Sequence, residues 1–132
     1  MQINEQQARR IAPAMFTQKL AGAMSRAVPE FDELSTESRA EFLEACQRAA
    51  AARGLLTEQG IAAYALATWF LGPGFEAKSP YLMALLDSGF PEVRKVHALN
   101  EWVHVLLGDP ENLAAADEAL KAAFYRSAAW GA

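Results

Sequence analysis

Residues 58–71, "EQGIAAYALATWFL", constrain the fold more than any other part of the chain. From Ile61 to Leu71 almost every side chain is apolar, and Gly72-Pro73-Gly74 follows at once. A helix that is apolar all round must be buried, either in a membrane or in the middle of a protein. This run is only about half of the ~20 residues that span a bilayer. It is therefore expected to be the central helix of a globular bundle. Thr57 caps its start, with Glu58 beside the positive end of the helix dipole. Gly72 is expected to end it in a left-handed conformation, with Pro73 preventing continuation and Gly74 letting Phe75 fold back.

The rest of the chain supplies the cover. At 132 residues, 52% hydrophobic and 21% charged, it is a single domain, 1–132, able to bury a core without staples. Asn4 can cap a first helix carrying Ile11, Met15, Leu20 and Met24, interrupted at Pro13 and finished before Pro29. Ser35 or Thr36 caps a second, with Phe42, Leu43, Cys46 and Ala50 as its buried stripe and Gly54 as terminator. Ser79-Pro80 opens a short fourth helix that Gly89 closes. Pro91 starts a fifth, ended by Gly108, with Val93, Val96, Asn100, Val103 and Leu107 along one face and Leu99, Trp102 and Leu106 alongside. Asp109-Pro110 opens the last, whose apolar residues include Leu113, Leu120 and Phe124. No stretch alternates with a period of two for long enough to make a strand. The expectation is an all-α bundle of five or six helices around 58–71, with 126–132 as a flexible or docking tail.

Charge and cysteine usage narrow the function classes. With a net charge of −4 and a pI near 5.2, no basic patch suits a phosphate backbone, so nucleic acid is not an expected partner. The single cysteine, Cys46, makes no intrachain disulfide and fits a reducing compartment. "MQINEQQARRIAPAMF" has polar residues where a signal peptide needs an apolar core. The expected location is cytoplasmic, without membrane attachment.

Candidate chemistry is sparse. His97, Glu101 and His104 lie at i, i+4 and i+7, on one helical face, and Glu101-x-x-His104 has the spacing found in di-iron bundles. A second such pair is absent, and Glu37, Glu41 and Glu44 are poorly placed to complete a site. The three are a weak metal candidate beside the plainer reading of a solvated polar face. Cys46, among Phe42, Leu43 and Ala49, reads as a small core hydrophobe. Gly72-Pro73-Gly74 lacks the Lys-Ser/Thr of a phosphate loop and follows a helix, and no Gly-x-Ser-x-Gly elbow is present. No enzyme activity and no cofactor are expected.

The aromatics point elsewhere. Phe75, Tyr81 and Phe90 fall at helix ends and loops, with Met83 close by, and Tyr125 and Trp130 lie near the C-terminus. Aromatic and Met side chains in such places anchor protein interfaces, so these six are the candidate partner-binding residues. Self-association through the same patch is a further option.

"GLLTEQGIAAYALATWFLGPGFE", followed by "SPYLMALL" and a lysine-bearing helix, resembles small helical proteins encoded in bacterial type VI secretion loci, beside genes for the VgrG spike, PAAR tips and toxic effectors. Gly54, Thr57, Ile61, Tyr64, Phe70, Gly72, Phe75, Pro80-Tyr81 and Leu85 carry the likeness, with "INEQQ" and Pro29 to Phe31 adding to it, over residues 2–107. The chain departs from that pattern in having Gly72-Pro73-Gly74 where a glycine and acidic residues are usual, and in a less basic first helix. The resemblance implies a non-enzymatic co-adaptor or co-chaperone that helps an effector or its adaptor reach the spike. The alternative is an immunity protein whose acidic charge suits a basic toxin.

Overall fold

Thr57 starts the central helix as its place in the sequence predicts. In the computed structural model, which describes residues 18–131 with side chains through Tyr125, its Oγ accepts from the Gly60 amide at 3.0 Å. The expected cap at Asn4, the interruption at Pro13, and Ile11 and Met15 lie outside the described residues. Among the described residues there are six helices and no strand: α1 (18–27), α2 (Thr36–Ala52), α3 (Glu58–Leu71), α4 (Pro80–Leu86), α5 (Glu92–Gly108) and α6 (Leu113–Gly131). Two 3-10 turns, Pro29–Glu33 and Phe75–Lys78, complete an all-α fold.

Most boundaries follow from local chemistry. Ser35 caps α2 by accepting from the Ser38 amide at 3.1 Å. At its other end Gly54 takes φ +77°, so that its amide reaches Ala51 O at 3.0 Å and the Leu55 amide reaches Ala50 O at 2.9 Å. This pair of bonds satisfies the last carbonyls of the helix and drops Leu55 into the core, fully buried. The end of α3 differs from the expectation. Gly72 has φ 94° and ψ 160°, an extended mirror region open only to glycine, and the left-handed residue is Gly74, at φ 72° and ψ 21°. Gly74 turns Phe75 inward, where it is 1% exposed.

Ser79 caps α4 through the Leu82 amide at 3.1 Å, with Pro80 in the first turn. The helix stops at Leu86, ahead of Gly89. Asp109-Pro110 does not open α6. Those residues form a turn, Asn112 N to Asp109 O at 3.1 Å, and Asn112 Oδ1 accepts from the Ala115 amide at 3.1 Å instead. A short link is what two antiparallel neighbours need, and α5 and α6 form the most extensive contact between elements.

Of the two stripes of α5, the one carrying Leu99, Trp102 and Leu106 is buried throughout. Lys95, Ala98, Leu99, Trp102, Val103 and Leu106 point inward, while Val93 and Leu107 are exposed. Burying Trp102, Leu99 and Leu106 together removes more apolar surface than the valine stripe would. The cost is a buried lysine. Lys95 Nζ donates to Leu86 O at 2.7 Å, at the negative end of α4. On α3, which packs against α2 and α5, the cover is also incomplete: Phe70 is 50% exposed.

One turn before Lys95, Glu92 governs how α3 begins. Its carboxylate accepts from the Leu56 and Thr57 amides at 2.8 and 2.9 Å and from the Thr57 hydroxyl. Partial burial works against its charge. The hydrogen bonds from Thr57 and Leu56, with Lys95 nearby, outweigh that and hold its pKa below the ordinary carboxylate value. A Cβ on Gly60 would overlap this carboxylate.

Two expected outcomes follow. Gly60→Ala, which would gain up to ~1 kcal/mol from helix propensity alone, should instead destabilise the fold by roughly 1–3 kcal/mol as an overpacked site; urea titration measures it. The lowered Glu92 pKa means its stabilisation is complete above the unfolded value of about 4.5 and is lost as pH falls through the folded value. The stability gap between wild type and Glu92→Gln should therefore shrink below about pH 4.5, and a gap independent of pH would contradict the assignment.

Candidate functional site

The α5–α6 hairpin sets the start of α5 beside the later turns of α6, and there an aromatic surface forms. Phe90, in the loop before α5, meets Phe124 of α6 edge-on at 4.8 Å between ring centres. Arg94 packs against both, its guanidinium carbon 4.0 Å from the Phe124 ring centre and 4.8 Å from that of Phe90. Its NH2 donates to Phe124 O at 3.3 Å. Tyr125 packs edge-on against Phe124 at 5.8 Å and is 71% exposed. One turn earlier on α6, Lys121 Nζ sits 4.0 Å over the ring of Tyr81. Val93 and Leu56 are further exposed apolar side chains, Leu56 being held by its amide to Glu92.

The structure thus joins three of the six candidate residues. Tyr81, Phe90 and Tyr125 are exposed and linked through α6. Met83 is half-buried, and the side chain of Trp130 lies outside the described residues. Phe75 is a correction. It is buried against Tyr64 at 5.0 Å and Trp102 at 6.0 Å, because Gly74 turns it into the core, so it cannot present a surface to a partner. Arg94 and Lys121 are what sequence reasoning missed. The signal was the i, i+4 relation of Phe90 to Arg94, which is legible only once a cation over a ring is sought.

A second cluster is closed rather than open. Tyr64 donates its hydroxyl to the buried Glu76 carboxylate, at 2.9 and 3.0 Å to its two oxygens. Arg53 Nε approaches the same carboxylate at 3.5 Å and reaches out to Asp87 at 3.1 Å. Burial, then the hydrogen bond to Glu76 and its charge, pushes the Tyr64 pKa well above that of an ordinary phenol. Burial also drives the Cys46 thiol up to about 11, against a hydrogen bond with Thr68 that lowers it. A thiol so placed is a packing group at neutral pH, not a nucleophile. The cavity beside it, about 210 Å³, is lined mainly by Phe42, Ala49, Tyr64 and Pro73.

His97 and Glu101 are half-buried and His104 is exposed. Among the described residues no group of three or more His, Cys, Asp and Glu side chains is placed to hold a metal ion, so the weak metal candidate gains no ligand from a facing helix. No helix among them is long and apolar enough to cross a membrane.

Tyr64→Phe should cost roughly 1–3 kcal/mol, because it leaves the buried Glu76 carboxylate short of a donor, whereas surface changes such as Tyr125→Ser should stay within about 0.5 kcal/mol. Thermal unfolding of both variants checks the contrast. Compared with known protein families, with curated proteins and with solved structures, the chain has no match.

Proposed function

We propose that this chain is a non-enzymatic protein-binding factor that holds its partner on the Tyr81, Phe90 and Tyr125 surface. The observation that carries the reading is the exposure of these side chains together, Tyr81 under Lys121, Phe90 against Arg94 and Tyr125 against Phe124. Rigid aromatics lose little conformational entropy on binding and make strong interface anchors. The groups best suited to acid–base or nucleophilic work, Glu76, Tyr64 and Cys46, are committed to the interior. The sequence resemblance supplies the setting: a cytoplasmic co-adaptor or co-chaperone in type VI effector loading.

A second reading has an observation of its own. Glu30, Asp32, Glu33, Glu37, Glu41 and Glu44 are all exposed along the first 3-10 turn and α2, an acidic face suited to a basic toxin. The two readings use different surfaces.

Co-expression with the products of neighbouring effector, adaptor and spike genes tests the first. One of them should co-purify, and Phe90→Ser with Tyr125→Ser should weaken that binding more than ~10-fold while the fold persists. If none co-purifies, the reading fails. A toxicity-rescue assay distinguishes the second, since an immunity protein protects cells and a loading factor need not.

A further inference from the structure

The aromatic surface has a charge bias opposite to that of the whole chain. The chain carries −4 overall, yet two cations, Arg94 and Lys121, lie within this surface, each against a ring. The nearby carboxylates do little to offset them. Asp87 holds Arg53, Glu92 holds the first amides around α3, and Glu118 approaches Lys121 at 3.6 Å with its side chain 77% exposed. Arg94 makes no ion pair among the described residues. Among the described residues its hydrogen bond is the one to Phe124 O, and its buried Nε has no acceptor there.

A guanidinium packed against two rings presents its terminal nitrogens as a fixed fork of donors, and a carboxylate is the group that matches such a fork. The rings beside it demand apolar cover at the same time. We propose that the surface receives an acidic segment of a partner protein. Its apolar side chains cover Phe90, Tyr81 and Tyr125, and its carboxylates pair with Arg94 and Lys121. This inference rests on the protein-binding reading above and adds the chemistry of what is bound. A second copy of the chain fits less well, because a two-fold contact through this surface sets one cation-bearing patch against another.

The probes are three fluorescein-labelled synthetic peptides sharing one amphipathic pattern of Leu and Phe, with the remaining positions filled by Glu, Gln or Lys. They are titrated into the full chain by fluorescence anisotropy at low salt and at about 0.15 M salt. The Glu peptide should bind at least ~10-fold more tightly than the other two, with the margin shrinking as salt rises. Arg94→Gln should remove most of that margin, Lys121→Gln part of it, and Arg94→Lys should restore some of it, which a mere folding defect would not do. Equal affinity for the three peptides, preference for the Lys peptide, or indifference to Arg94→Gln overturns the proposal. Binding to anionic phosphatidylglycerol vesicles without preference for the Glu peptide also overturns it and assigns the surface to lipid. If the Glu and Gln peptides bind equally and both are lost with Phe90→Ser and Tyr125→Ser, the charge inference falls while the protein-binding reading stands. If no peptide and no neighbouring gene product binds, both fall.

Discussion

The N-cap of α3 is held from another helix, and the rest of the bundle is arranged around that contact. Thr57 takes the Gly60 amide on its hydroxyl, and Glu92 of α5 holds the cap in turn, accepting from the Thr57 hydroxyl and from the Leu56 and Thr57 amides just before the helix. The contact fixes the starts of α3 and α5 side by side, so the most apolar helix of the chain lies along the inward face of α5. One turn on, Lys95 fastens the end of α4 to the same stretch. Gly60 keeps the approach open. Three elements are thereby indexed by two charged residues three positions apart.

The other buried polar groups follow the same logic. Asp117 of α6 accepts from Ser79 at 2.7 Å and from the Trp102 indole at 3.0 Å, joining α4, α5 and α6. Glu76 joins the second 3-10 turn to α3 through Tyr64, with Arg53 at the end of α2 close by. Groups of this kind add little net stability when satisfied and cost much when left alone. They specify which helix ends meet. That spending of charge on the interior leaves Arg94 as an exception, a cation held by rings and a carbonyl and by no carboxylate among the described residues.

The helices were legible because their signals are local. Ser35, Thr57 and Ser79 each cap as the sequence indicates, and the apolar run from Ile61 is buried over most of its length. What was not legible depends on partners distant in sequence. Nothing local to Lys95 marks it for burial, which depends on the carbonyl of Leu86 brought to it. Phe75 reads as a loop aromatic, yet a single left-handed glycine decides its burial. Asn112 competes with Asp109 as a cap, and the geometry of the hairpin favours it. The surface shared by Phe90, Arg94 and Phe124 needs two elements thirty or so residues apart to meet, which no periodicity encodes.

The placement of the tryptophans has an optical consequence. Trp69 sits half-buried within edge-on contacts from Phe31 and Phe42, at 5.8 and 5.6 Å, where α2, α3 and the first 3-10 turn converge. Trp102 is fully buried at the junction of α4, α5 and α6, its indole tied to Asp117. Each indole lies in a different half of the bundle with a different polarity around it. With Trp130 replaced, their emission would report separately on the two halves, so that loosening of one could be watched while the other stays shut.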